Sequence, residues 1–492
     1  MTVVAEPGVT VRLAERLRNA IGAERVLTDP AQLRTYECDG LANFRVIPGV
    51  VVLAESTQHV VDTVRLCAQA GVPFVARGSG TGLSGGALPV ADGVLIVLSR
   101  LRKIVRIDPD NARIVVEPGV INLWVSREAA VHDLVYVPDP SSQQVCSIGG
   151  NLAENSGGAH CLKYGFTVNH VLGAEIVLSD GQLVHLGGTA AEHPGYDLLG
   201  VFVGSEGTLG VATEVTLRLV RVPEAVQTML VGFRSVEDAA GTVSDIIAAG
   251  ILPAAIEMMD ALAIEAAEAA VRCGYPPGAV AVLVIELDGP QIEVEAQFAQ
   301  VAQLAQARHA FETRIAADAA ERALMWKGRK SAFAAVGRIS PAYFVQDGVI
   351  PRTRLPQVLA EISRLADQAG LRVANVFHAG DGNLHPLVLF DDAIDGQAHD
   401  AEELAGAILD LCVALGGSIT GEHGVGHEKK LKMSTQFTPD DLDTMQLVRC
   451  AFDPGNLANP GKIFPTPRLC GERPGPRSGA DHARDPAMGQ VF

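Results

Sequence analysis

At 492 residues the chain is too long for one compact core, and two or three domains are expected. It is 48% hydrophobic and 20% charged, ordinary for a globular protein, and its net charge of −18 excludes a nucleic-acid partner, whose phosphates need a basic surface. The longest uninterrupted apolar stretch, Ala279 to Ile285, is strand-sized, against the roughly 18 residues that a membrane span requires.

Residues 8–24 predict an amphipathic helix with Val11, Leu13, Leu17 and Ile21 on neighbouring turns, inside an N-terminal helical segment, 1–48. Val50 to Leu53 reads as a buried strand. Ser56 is the expected N-cap of a helix carrying Val60, Val61, Val64 and Leu66 to about Ala70. The next apolar run, Val72 to Val75, feeds Ala76-Arg77-Gly78-Ser79-Gly80-Thr81-Gly82-Leu83-Ser84-Gly85-Gly86, with five glycines in nine residues. Glycine lacks a Cβ and tolerates positive φ, so such a loop can wrap a ligand closely and aim several N–H groups at a diphosphate.

Gly80 to Gly85 also fits G-x-G-x-x-G, but that dinucleotide fingerprint needs a helix starting at the glycines. Here Gly86-Ala87-Leu88-Pro89, Asp92-Gly93 and the strand-like Val94 to Leu98 leave no room for one. The context argues against a Rossmann unit and leaves either a nucleotide-gripping loop or an ordinary glycine-rich turn.

Farther on, Ile104 to Ile107 and Ala112 to Val116 predict a hairpin around Asp108-Pro109-Asp110-Asn111, and Gly173 to Leu178 with Gln182 to Leu186 a second around Asp180-Gly181. Hairpins mixed with helices indicate an α+β fold rather than a doubly wound parallel sheet. A second domain, 223–465, opens with strand Thr228 to Phe233, a helix over about 236–249 and strand-like Ala254 to Met258. It continues with a helix from Ala261 to Cys273, strand Ala279 to Leu287 and one long helix over 291–323, a pattern suited to an antiparallel sheet covered by helices. The tail, 466–492, with Pro474, Pro476 and Pro486, is expected to be disordered. The eight cysteines include no C-x-x-C pair, so iron–sulfur binding is not expected and reduced, mostly buried thiols are. The N-terminus lacks a signal-peptide pattern. A cytoplasmic protein is expected, with peripheral association at the inner face of the membrane through a partner left open.

Leu371 to Phe377 and Leu384 to Phe390 are apolar runs flanking Asp381-Gly382, which predicts a type I′ two-residue turn. In that register His378 and His385 face each other on one side of the hairpin, with Val376, Leu387 and Leu389. Two imidazoles so placed are either metal ligands or a hydrogen-bonded core pair. Glu422, on the bend Gly421-Glu422-His423-Gly424-Val425-Gly426, supplies a third ligand, and two His with one carboxylate suit a divalent ion such as zinc, manganese or iron. His423 then sits beside the metal as a proton acceptor, a second ligand or a structural residue. Asp381 reads as a turn residue rather than a ligand.

Several motifs together carry a resemblance: the glycine loop, Val137-Pro138-Asp139-Pro140, Ser147-Ile148-Gly149-Gly150-Asn151, Asn155-Ser156-Gly157-Gly158, and Gly204-Ser205-Glu206-Gly207-Thr208-Leu209-Gly210. They resemble the two-part FAD-binding domain of the vanillyl-alcohol oxidase and p-cresol methylhydroxylase superfamily. His378-Ala379-Gly380-Asp381-Gly382-Asn383-Leu384-His385, Gly421 to Gly424, Asn459-Pro460-Gly461-Lys462 and Trp326-Lys327-Gly328-Arg329-Lys330 are similar to its FAD-linked 2-hydroxy-acid dehydrogenase branch, which includes the flavin subunits of bacterial glycolate oxidases.

The resemblance implies an FAD-binding domain over 49–222, followed by an α+β substrate domain. It implies FAD contacts along Arg77, Gly78, Ser79, Gly80, Thr81, Gly82, Ser84 and Gly85, then at Pro138, Asp139, Ser147, Gly149, Gly150 and Asn151. Asn155, Gly157, Gly158, Glu206, Gly207, Gly210, Val211 and Asn459 complete that set. It implies a metal at His378, His385 and Glu422, proton abstraction by His423, and Arg329 clamping the substrate carboxylate, although by its residues alone Arg329 could be a surface arginine.

The implied reaction is oxidation of a small 2-hydroxy acid, glycolate first and D-lactate second, to the 2-oxo acid. Some relatives place a lysine just before the segment Asp347-Gly348-Val349-Ile350-Pro351; Val345 and Gln346 stand there instead, which disfavours a long dicarboxylate. Covalent relatives often carry a histidine in the glycine loop, and 77–86 has none, so non-covalent FAD is expected. The implied partners are a second flavin-domain subunit and an iron–sulfur subunit. A non-catalytic flavin scaffold and a nicotinamide-linked dehydrogenase, the latter weakened by the absent helix, are the rival readings.

Overall fold

The computed structural model describes residues 9–190, 194–465 and 470. The first half is built on two sheets. In one, Val50–Leu53, Val94–Val97 and Phe74–Arg77 run parallel, with Val26–Leu27 added antiparallel at the edge. The stretch before residue 49 therefore contributes a strand as well as the helix Val9–Ile21, which buries Leu13, Ala14, Leu17 and Ile21 while Val11 stays 66% exposed. Ser56 caps the helix Thr57–Ala70, its hydroxyl accepting from the His59 N–H at 3.2 Å. The second sheet is antiparallel, ordered Ile104–Asp108, Arg113–Val116, Val211–Arg218, Val171–Val177, Leu183–Gly187, and both expected hairpins form within it.

The second half is one seven-stranded antiparallel sheet in the order Glu312–Ile315, Ala225–Phe233, Ala281–Gly289, Ala255–Asp260, Arg372–His378, Asn383–Phe390, Ala342–Val345. Strand period two divides its side chains cleanly. Met229, Val231, Leu283 and Ile285 pack under the helices Val236–Ala248, Gln291–Ala307, Leu355–Ala369 and Gln397–Ala414. Leu230, Val282, Val284 and Val376 face the helices Ala261–Val271 and Ala319–Val336. Leu355–Ala369 shows why such helices dock: Leu355, Val358, Leu359, Ile362 and Ala366 recur at helical spacing and are all buried. Each of its large apolar side chains contributes about 1.5–3 kcal/mol.

Three sequence expectations are corrected here. The helix expected over 291–323 stops at Ala307; His309 turns left-handed (φ 59°), Glu312–Ile315 pairs with Ala225–Phe233, and Asp318 caps a new helix, Ala319–Val336. The histidine hairpin does not close in a two-residue turn. His378 pairs with Asn383 and His385 with Val376, leaving four loop residues, of which only Gly382 has positive φ (82°). The wider loop follows from a neighbouring segment: Ile350 N donates to Gly382 O at 3.0 Å and Leu384 N to Gly348 O at 2.8 Å, holding the strands open at the tip. Finally, Cys450, on the helix Pro439–Phe452, forms a disulfide with Cys470, whereas the six other cysteines are free. The rest of the tail expected to be disordered lies outside the described residues.

The two halves are tied in two ways. Residues 457–459 return to the first parallel sheet, with Phe74 N donating to Leu457 O at 2.9 Å and Asn459 N to Phe74 O at 2.8 Å. A charged clasp also crosses between the halves. His160 meets Asp139 at 2.9 Å and Glu286 at 3.3 Å, Glu286 accepts from Arg322 and the Trp326 indole, and Lys330 lies 3.3 Å from Asp139. No helix among the described residues is long and apolar enough to cross a membrane.

Candidate flavin and metal site

Phe74–Arg77 delivers the chain into the glycine loop, and no helix intervenes before Val94–Val97. The backbone N–H groups of Gly78, Ser79, Gly80, Thr81 and Gly82 donate to no protein acceptor among the described residues. Five consecutive free donors facing a cavity form an anion cradle, which fits the pyrophosphate of a dinucleotide. A Cβ on Gly78 would run into the Ser147 hydroxyl, which caps the helix Ile148–Glu154. The cavity measures about 1610 Å³, beyond the roughly 300–1,000 Å³ of an ordinary small-molecule site and enough for a dinucleotide together with a substrate.

Gly78 to Gly82 line this cavity with Ser147, Gly149, Gly150, Asn151, Glu206, Gly207, Gly210 and Val211, and so do Glu422 and His423. The remaining expected FAD residues stand behind the wall. Arg77 donates to the Cys38 carbonyl at 2.6 Å, Gly85 packs on His427, and the carbonyl of buried Ser84 accepts from the N–H groups of His427 and Glu428. Pro138 O accepts from Asn122, Asp139 belongs to the charged clasp, and a Cβ on Gly158 would strike Asp139. Asn155 ends the helix Ile148–Glu154 in the left-handed region (φ 52°), and Gly157 lets Phe166 and Glu422 approach the backbone. Asn459 donates to Gly86 O and Glu206 O, joining two walls from the far end of the chain.

The metal-type set converges. Moving the hairpin register by two keeps His378 and His385 on the same face, because side chains alternate with period two. Their rings meet edge-on at 5.0 Å, and each Nε2 lies 3.1 Å from Glu422 Oε1. Glu422 Oε2 is buried without a partner, which leaves donor capacity for an ion. Each imidazole is held through its other nitrogen, His378 Nδ1 to Glu257 Oε1 at 2.8 Å and His385 Nδ1 to Gln346 O at 3.4 Å, the outer-shell arrangement that orients histidine ligands. Burial disfavours a charged His378, but Glu257 and Glu422 outweigh it and raise its pKa well above the usual value. Burial likewise opposes ionisation of Glu422, yet His378 and His385 hold it well below the ordinary carboxylate range. His423 stacks on His385 at 4.9 Å, and burial pushes its imidazole down to about 4, so it is neutral. Asp381, as expected, serves the turn, accepting from Asn383 N at 3.1 Å.

Arg329 does not lie on the cavity wall. It is 2% exposed and reaches Glu257 at 2.6 Å, while the neighbouring Lys330 lines the cavity. Glu257, serving both His378 and Arg329, was missed in the sequence; its one signal is an acid inside the apolar strand Ala255–Asp260. Glu154 was missed too. It lines the cavity wall against Gly86, and burial together with Glu206 raises its pKa well above the usual value.

A cradle that fits a dinucleotide, joined to an antiparallel sheet carrying a buried His–His–Glu cluster, is the layout of a flavoprotein oxidoreductase. The FAD binding domain family matches residues 48–187, and the C-terminal domain of the FAD linked oxidases matches 222–463. The chain is 51% identical to glycolate oxidase subunit GlcD of Escherichia coli K12, covering 93% of this chain and 91% of that protein. It is 36% identical to GlcD of Bacillus subtilis over 93% and 97% of the two chains. The fold matches 4-ethylphenol oxidase from Gulosibacter chungangensis with a TM-score of 0.78 at 18% identity, over 94% and 98% of the chains. The chain belongs to the FAD-linked oxidases, in the branch of the glycolate oxidase flavin subunits.

Proposed function

We propose that this chain oxidises glycolate, or a similarly small 2-hydroxy acid, to the 2-oxo acid, as the flavin subunit of a glycolate oxidase-like complex. The observation that carries the reading is that His423 and Glu422 line the same cavity as the glycine cradle, with both imidazole Nε2 atoms gathered on Glu422. His378, His385 and Glu422 would hold a divalent ion, zinc, manganese or iron, and the glycine loop would hold FAD non-covalently. When bound, FAD would supply the hydride acceptor, and a divalent ion would make a substrate hydroxyl more acidic.

His423 does the proton work: a neutral imidazole whose Nε2 stands 3.8 Å from Glu422 Oε1 can accept the hydroxyl proton. Glu257 and the Gln346 carbonyl keep both other imidazoles aimed. Arg329, off the cavity wall, braces Glu257 at 2.6 Å instead of meeting the substrate. Val345 lines the cavity and Gln346 donates to Glu428 at 2.9 Å, so no cation from these positions awaits a second carboxylate.

The electron path onward would run to a second flavin-domain subunit and an iron–sulfur subunit on the cytoplasmic side of the membrane. D-lactate is the second substrate choice, since a D-lactate dehydrogenase of Anaerostipes hadrus is 31% identical over 92% of the chain. Purified protein assayed with glycolate, both lactates and 2-hydroxyglutarate against an artificial acceptor tests the assignment. Turnover strongest with glycolate supports it, and turnover with none of the four refutes it in favour of a scaffold.

A further inference from the structure

Asp347 is fully buried, two residues past the edge strand Ala342–Val345, and its carboxylate gathers a run of donors from the bend at Glu422. Its Oδ2 accepts from Thr420 Oγ1 at 2.5 Å and from three successive backbone N–H groups, Gly421 at 2.9 Å, Glu422 at 3.1 Å and His423 at 2.8 Å. We propose that Asp347 is the positioning residue that sets Glu422 and His423 in register with His378 and His385. The inference rests on the metal-dependent reading above and names what holds that site together.

The surrounding segment shows how two distant parts of the chain are spliced. Gln346 O meets His385 Nδ1, Gln346 N donates to Pro386 O at 3.1 Å, and Val349 exchanges hydrogen bonds with Ser418 at 2.9 and 3.0 Å. Residues 346–349 therefore touch the histidine hairpin on one side and the Glu422 bend on the other, and the Asp347 carboxylate is the strongest link on the second side. Three backbone N–H groups aimed at one oxygen fix the bend at consecutive residues, so the Glu422 side chain leaves the backbone in one direction only. Lys429, at 3.8 Å, offsets the buried negative charge.

Asp347, His385 and His423 also lie close enough together to hold an ion. The donors decide against that set: four bonds already fall on Asp347 Oδ2 and the Glu422 N–H reaches Oδ1 at 3.3 Å, while Glu422 Oε2 has none. Asp347 holds the ligand and does not act as one.

The test uses the FAD-loaded full chain, stripped of metal with a chelator and titrated with zinc alone. Asp347→Asn keeps the volume but turns an NH₂ toward backbone N–H donors. Zinc binding should weaken about 10–100-fold, the range for outer-shell residues, with FAD content unchanged and glycolate-driven flavin reduction recovering at saturating metal. Thr420→Val removes one donor and should shift the zinc midpoint in the same direction by less; it decides the matter if the first variant fails to fold. Variants with the wild-type zinc midpoint would overturn the positioning role. A wild-type chain that binds no zinc, manganese or iron would instead sink the metal reading beneath it.

Discussion

Two parts of the cavity wall are made differently. The glycine part is built from backbone: free N–H groups of 78–82, contributed by one short stretch of sequence. The histidine–glutamate part is built from side chains of three segments, the strand Ala255–Asp260, the histidine hairpin and the bend at Glu422, assembled only by the fold. A backbone site fails when a side chain is added, and a side-chain site fails when one is removed. The difference predicts which substitutions should uncouple cofactor binding from chemistry.

The largest effect should come from His423→Ala, which leaves FAD bound and lowers glycolate-driven flavin reduction about 10²–10⁴-fold, the range of general acid–base catalysis, in anaerobic stopped-flow. Unchanged reduction would remove its role. Gly78→Val should do the opposite: with its side chain forced into Ser147, the protein should purify without yellow colour yet still bind metal. Retention of stoichiometric FAD would show that the cradle is misassigned. Glu257→Gln should sit between them, keeping FAD and weakening metal affinity about 10–100-fold by isothermal titration.

The smallest effect concerns the clasp between the halves. Burial disfavours charge on His160, but Asp139 and Glu286 prevail and raise its pKa to about 10. A folded-state value above the unfolded one, about 6.5, means the contribution is complete below pH 6.5 and fades as pH rises through about 10. Thermal unfolding should therefore show a loss between pH 7 and 10.5 that Asp139→Asn reduces. An identical pH dependence in both proteins would count against the clasp.

How much was legible in the sequence follows the same division. The glycine loop was legible because its donors come from one local stretch, and its context correctly excluded a Rossmann helix. Local reading misplaced the hairpin turn, because the segment at Gly348 and Ile350 that props it open arrives from elsewhere in the chain. The face of the two histidines survived that error, since a shift of two residues leaves the alternation intact. Glu257 and Asp347 were not picked out, because nothing local distinguishes an acid that will be buried against a ligand from one that will be solvated. The break at His309 and the Cys450–Cys470 bond were missed for the same reason, each depending on a partner remote in sequence or on backbone conformation.

The most direct measurement is anomalous diffraction at the zinc edge from crystals of the FAD-loaded, zinc-reconstituted protein. One peak bonded to His378 Nε2, His385 Nε2 and the Glu422 carboxylate, with isoalloxazine density in the same cavity, is the predicted result. A peak elsewhere, or those three side chains bare beside an ordered flavin, would contradict the account.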